Sequence, residues 1–146
     1  VAAMKITLEE RLPSAEVTPK QLKDRSWWTG PDIFLIVDNL DLVPDMAFAP
    51  LLSVLPHARD VGLHVVITRK SGGCVRALFQ PFLAEIKDQS PFIIVLDADK
   101  DDGPLFGVRL KPQPPGRGVM IHHGTQQGLI QIAAADIPEV AEAKAS

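Results

Sequence analysis

Three short β-branched apolar runs constrain this fold more than any other feature: Ile33-Phe34-Leu35-Ile36-Val37, Leu63-His64-Val65-Val66-Ile67-Thr68 and Phe92-Ile93-Ile94-Val95-Leu96. They lack the strict alternation of a strand with one wet face, and so predict strands covered on both faces, as in a parallel sheet. Between the first two, Pro50–Leu55 and Pro56–Val61 predict two short helical pieces closed by Gly62. Between the second and third, Ser71-Gly72-Gly73 predicts the cap of a helix from Cys74 to Lys87, bent at Pro81. Strand, helix, strand, helix, strand at this spacing predicts an α/β fold of parallel strands with right-handed helical crossovers.

The flanks read differently. Val1–Leu12 predicts the end of a helix that Pro13 stops, and residues 13 to 32 a polar connector with a helical turn starting at Thr18-Pro19. Trp27 and Trp28, in a chain only 5% aromatic, predict a wedge that packs the connector on the core. Asp97–Gly118 reads as a long surface loop. Val119–His122 and Leu129–Ala133 predict a C-terminal β-hairpin around residues 123 to 128, and 134–146 an Ala-rich tail.

Charge and cysteine content narrow the function classes. The chain of 146 residues carries 15 Lys and Arg against 18 Asp and Glu, a net −3, which lacks the basic footprint of a nucleic-acid partner. The single cysteine, Cys74, makes no internal disulfide and suits a reducing compartment. Neither a membrane-span-length apolar run nor a signal-peptide pattern is present, so the reading is a cytoplasmic module.

The motif richest in chemistry is the apolar strand ending in Asp38. An acid at the carboxyl end of such a strand can stand beside a nucleotide's Mg²⁺, while the next position often holds a second acid that polarises water. Here that position is Asn39, whose amide takes no proton at neutral pH. The partner motif, a glycine-rich phosphate cradle with Gly-Lys-Ser/Thr, is absent. Other constellations are weak. Asp97, Asp99 and Asp101 imitate a calcium loop without its glycine spacing or its closing Glu. His122 and His123 are adjacent strand residues facing opposite ways, so the metal ligands number none. A thiol enzyme built on Cys74 or His64 lacks a phosphatase loop and a nucleophile elbow, and His64 reads as a packed core histidine. Arg69 and Lys70, with Arg59 and Arg76, form the one basic cluster, fitted to a solvated loop or to a contact between domains.

Six segments in order carry a specific resemblance: Arg25-Ser26-Trp27-Trp28-Thr29-Gly30-Pro31-Asp32, the strand through Asp38 to Val43, Leu55–His64, Arg69-Lys70-Ser71-Gly72-Gly73, Asp101-Asp102-Gly103-Pro104-Leu105 and Pro114-Pro115-Gly116-Arg117-Gly118. The chain resembles the C-terminal half of an FtsK/SpoIIIE-type ATPase domain, and is most similar to the last ATPase domain of the EccC proteins of actinobacterial type VII (ESX) secretion systems. The resemblance implies a partial RecA-like P-loop NTPase fold without its P-loop half, and hence a piece of a longer polypeptide. In its strand order the P-loop strand lies between the second and third strands read here. It divides the chain into a helix end and connector (1–32), the half-domain (33–133) and a tail (134–146).

By the same resemblance Asp38 and Asn39 take the Mg²⁺-side Walker B positions. Arg69 and Lys70 fall where such motors carry a polar sensor, and Arg117 lies in a Pro-Pro-Gly-Arg-Gly segment. ATP and Mg²⁺ are implied for the complete domain and no cofactor for this chain alone. The implied partners are other ATPase domains of the motor, a secreted substrate's signal sequence and, through other subunits, a membrane secretion channel, in an oligomer at the inner face of the membrane. With Asn39 and Lys70 departing from the pattern, the expected function is a degenerate ATPase module that docks substrates or regulates the motor. The alternatives are an FtsK-like DNA translocase, which the net charge disfavours, and the thiol enzyme.

Overall fold

A computed structural model describes residues 1–98 and 103–133. Asp99, Asp101, Asp102 and the 134–146 tail lie outside the described residues. The fold is α/β with two separate sheets. Strands β1 (Ile33–Val37) and β2 (Leu63–Ile67) pair in parallel, Ile33 opposite Leu63 through Val37 opposite Ile67. Strands β3 (Ile93–Val95), β4 (Arg117–His122) and β5 (Thr125–Gln131) form an antiparallel sheet in that order.

The third apolar run pairs with the hairpin and not with the parallel pair. Antiparallel pairing with β4 satisfies the β3 backbone groups. That β2 and β3 share no ladder agrees with the strand order the resemblance implies.

The strands are also less covered than continuous apolar runs predict. Ile33, Leu35 and Val37 face the core, whereas Phe34 and Ile36 are 62% and 70% exposed. On β2, Val66 is 50% exposed beside them. Among the described residues one face of the parallel pair lies open, and the period-two pleat then dictates which residues are wet. His64 is on that face. It stacks on Phe34 with ring centroids 4.6 Å apart and meets Asp32 at 3.1 Å, so it is an exposed, paired histidine and not a core one.

The core on the other face gathers Leu8 from α1 (Ala2–Glu9), Val37, Phe48, Leu51, Val54, Leu55, Val61, Leu63 and Phe82. Between β1 and β2 the chain runs through three 3-10 turns, Leu40–Leu42, Asp45–Leu51 and Leu55–His57. Proline at positions 50 and 56 and the short spacing keep these from becoming α-helices. In the connector, α2 (Pro19–Asp24) starts at a Thr18/Gln21 capping box and ends with Arg25 in the left-handed region.

The expected helix from Cys74 to Lys87 is instead two, α3 (Cys74–Ala77) and α4 (Pro81–Asp88). Pro81 forces Gln80 into extended backbone (ψ 139°), so a new helix begins with proline in its first turn and no bend is needed.

The connector is bolted down around Arg11, which is 8% exposed. Its guanidinium donates to Val61 O (3.1 Å) and Pro31 O (3.1 Å) and lies 4.3 Å from the Trp28 ring centroid. Trp27 Nε1 donates to Arg11 O and Trp28 Nε1 to Asp60 O. Gly62, at φ +73°, is required here, because a Cβ would come within 2.6 Å of both Trp28 Cη2 and Asp32 Oδ1.

The hairpin turn is tighter than expected. His123 and Gly124 both have positive φ (49° and 67°), the pattern of a two-residue type I′ turn, with a bulge between Met120 and Ile121.

Candidate functional site

The carboxyl ends of β1 and β2 lie side by side, and the register that ends at Val37 and Ile67 continues one step to Asp38 and Thr68. Thr68 N–H donates to Val37 O (2.9 Å) and Leu40 N–H to Thr68 O (2.9 Å), so parallel pairing runs past the strands. The Thr68 hydroxyl donates to Asp38 Oδ1 at 2.6 Å and accepts from Asn39 N–H at 2.8 Å. One hydroxyl thereby fixes both the acid and the residue after it.

Asn39 sits in the left-handed region (φ 55°), which an Asn tolerates, and opens the first 3-10 turn. Its Oδ1 is buried without a hydrogen-bond partner. A lone carbonyl acceptor has no proton-accepting role at neutral pH, so the arrangement orients Asp38 without placing a base beside it.

Thr68 is the residue that sequence reasoning missed. The signal was its register position directly opposite Asp38. Arg69 and Lys70, read as sensor or interface residues, lie in the turn after β2: Arg69 Nη2 meets Asp41 Oδ1 at 2.8 Å, and the Lys70 backbone N–H donates to Asp41 Oδ2 at 2.9 Å. The Asp41 carboxylate thus clamps the turn after β2 as Thr68 clamps the turn after β1. The Lys70 side chain is exposed.

The structure does not bring Arg59 and Arg117 to this place. Arg59 is exposed ahead of β2, at the opposite end of the parallel pair, and its carbonyl accepts from Arg25. Arg117 is exposed at the start of β4, in the other sheet. The glycines around it have a packing reason: Gly116 turns at φ +77°, and a Cβ on Gly118 would meet Val95 O at 2.8 Å. Arg76 is exposed on α3. Cys74 is half-buried at the start of that helix.

Beyond Asp41 the two turns and α4 enclose a cleft of about 110 Å³, lined by Leu40, Val43, Phe48, Ala77, Phe82 and Leu83 with Asp41, Asp45, Arg69 and Gln80. Phe48 and Phe82 stack beneath it, centroids 4.4 Å apart. Gln80 Nε2 donates to Asp45 Oδ2 at 3.0 Å across the mouth.

The sequence has no Gly-Lys phosphate cradle to stand beside the Asp38 carboxylate. Among the described residues no group of three His, Cys, Asp or Glu side chains could hold a metal ion, and no helix is long and apolar enough to cross a membrane.

No protein-family model matches the chain. It is 45% identical over 130 residues to the ESX-4 secretion system protein EccC4 of Mycobacterium tuberculosis, covering 86% of this chain and 10% of that protein. The cytoplasmic domain of the Thermomonospora curvata type VII secretion ATPase EccC superposes with a TM-score of 0.84 at 40% identity, over 92% of this chain and 16% of that one. A structure of T. curvata EccC (ATPases 2 and 3) in complex with a signal sequence peptide gives 0.83 at 41% identity, over 92% and 25%. The chain therefore spans a small part of the length of these relatives. Over that part, with its partial RecA-like α/β fold, it is a homologue of the EccC ATPase domains of ESX type VII secretion systems.

Proposed function

We propose that this chain docks substrate signal sequences or regulates a type VII secretion motor, and does not itself hydrolyse ATP. The observation that carries the reading is the pairing of Asp38 with Asn39: Thr68 holds both, and the residue that follows the acid is an amide. Loss of a general base typically costs about 10² to 10⁴ in rate, enough to leave a motor domain its contacts and not its turnover.

The docking half is supported by the relative whose structure holds a signal sequence peptide. The partners are then further ATPase domains of the same motor and the signal sequence of a secreted protein, at the inner face of a membrane. ATP and Mg²⁺ belong to a complete domain, in which Asp38 would face the metal and Thr68 would keep its carboxylate turned. The missing cradle leaves this chain with one wall of that site.

Calorimetric titration with Mg²⁺-ATP and with a substrate's C-terminal signal peptide, paired with phosphate-release kinetics, tests the reading. Peptide binding without turnover is expected. Turnover that disappears in Asp38→Ala would overturn it.

A further inference from the structure

We infer that β5 is a homotypic interface, whose outer edge pairs antiparallel with β5 of a second copy of this chain. The pairing joins the two three-stranded sheets into one continuous sheet.

The edge is open and unguarded. Within its sheet β5 lies at one end, bonded to β4 alone, while at the other end β3 spans only Ile93–Val95. Ile132 N–H donates inward to Gly116 O at 2.7 Å, so the alternation of an antiparallel ladder turns Ile130 inward as well. The backbone N–H and C=O groups of Leu129 and Gln131 then point outward, and among the described residues no strand meets them. Proteins usually blunt such an edge with charge, proline or a bulge. From Thr125 to Ala133 there is no charged residue and no proline. The bulge opposite Met120 and Ile121 falls near the turn, and the register runs unbroken from Gly128 to Gln131.

Gly128 points independently to a visitor. Its φ is not positive, and nothing stands within 4 Å of where its Cβ would be. Neither turn geometry nor the chain's own packing therefore calls for glycine. A glycine inside a strand weakens it and often marks the close approach of another backbone.

The outward groups also choose the occupant and its register. With Leu129 opposite Gln131 of the second copy, and Gln131 opposite its Leu129, each pair exchanges both main-chain hydrogen bonds. The same register sets Ile130 against Ile130 and lays Ile132, 48% exposed, over the bare backbone of Gly128. It also covers Leu129, which is 62% exposed. Like charges never meet across the two-fold axis, because the strand carries none. Edge-binding peptides are selected by room for their alternate side chains, and here β5 itself brings the isoleucine that fits the glycine. So short a pairing buries less than the roughly 1,200 Å² of stable complexes, and a Kd on the order of 10⁻⁴ M is expected. Such a contact acts between copies already gathered, where tethering supplies effective concentrations of about 1 mM.

Sedimentation velocity and residue-resolved amide exchange of the isotope-labelled chain, at about 0.02 mM and about 1 mM, test the pairing. At that Kd, exchange at Leu129 and Gln131 should slow about fourfold at the higher concentration, while Ile130 and Ile132 stay protected at both. Leu129→Pro removes a donor that the chain's own ladder does not use, and should weaken the dimer about tenfold or more. Leu129→Lys keeps the backbone intact should the proline variant misfold, and should weaken it about fivefold, less so in high salt. Gly128→Val fills the space kept for Ile132, and should weaken it about fivefold in a chain that still folds. Phe34→Ser, on the open parallel face, should leave protection at Leu129 and Gln131 unchanged.

A chain that is monomeric at both concentrations overturns the inference. So does a dimer that ignores Leu129→Lys and Gly128→Val, or one whose Leu129 and Gln131 amides exchange freely, which gives the contact to another surface. Slow exchange at both concentrations without dimerisation places another segment of the same chain on the edge, and overturns it too.

Discussion

Replacing Gly62 by Ala should unseat the connector. At φ +73° an L-residue costs about 1 to 2 kcal/mol relative to glycine. The added Cβ would also lie 2.6 Å from Trp28 Cη2, inside any ordinary contact. Trp28 cannot simply retreat. Its Nε1 is tied to Asp60 O at 2.8 Å, and its ring lies 4.3 Å from the Arg11 guanidinium carbon. Forcing it aside is an overpacking event of about 1 to 3 kcal/mol, giving about 2 to 5 kcal/mol in all. Against a typical domain stability of about 5 to 15 kcal/mol, much of the fold's margin would go. Urea denaturation followed by tryptophan fluorescence measures the loss. A Trp28→Leu background separates the parts, because there the Gly62→Ala cost should shrink towards the backbone component alone. Gly128→Ala, with nothing within 4 Å of its Cβ position, serves as the benign control. A Gly62→Ala cost below about 1 kcal/mol, or one indifferent to Trp28→Leu, would refute the wedge.

Further outcomes follow from the strand ends and the open face. Thr68→Val removes both bonds of the hydroxyl and should cost about 1 to 2 kcal/mol in urea melts, with Thr68→Ser recovering most of it. Arg69→Ala breaks a half-screened pair with Asp41 and should cost about 1 kcal/mol or less, a difference that shrinks as NaCl is raised. Phe34→Ser should change stability by less than about 1 kcal/mol while lowering self-association in light scattering, since Phe34 contributes to the apolar face left bare. Unaltered light scattering would mean that face is not sticky.

What could be read in the sequence was what local chemistry decides. Asp38 ends an apolar run, and that alone puts it at a strand's carboxyl end. Thr18-Pro19 announces a helical turn, and Trp27 with Trp28 a wedge. What could not be read depends on the company an element keeps. An unbroken apolar run says that a strand can be covered on both faces, but cover on the Phe34 and Ile36 side is not among the described residues. His64 followed the same error, because burial was inferred from neighbours on both sides of the pleat. The helix expected from Cys74 to Lys87 divided at Gln80 because the constraint on the residue before proline outweighed the apolar periodicity. At the site, Arg69 and Lys70 drew attention by charge, whereas the hydroxyl that reaches Asp38 belongs to a residue notable only for its register.

The spacing of the two sheets also bears on the order in which the molecule comes together. His123-Gly124 joins β4 to β5 locally, a pairing that closes in about 1 to 10 μs. By contrast, Ile33 must await Leu63, 30 residues further along. At roughly 5 to 20 residues per second of synthesis, β1 therefore spends seconds without its parallel neighbour. For that interval Ile33–Val37 is a bare, β-prone apolar segment, the kind of sequence that aggregates or calls on a chaperone. In a nascent chain of this kind the hazardous moment falls before residue 67 is made, and slower translation of residues 38 to 62 would lengthen it.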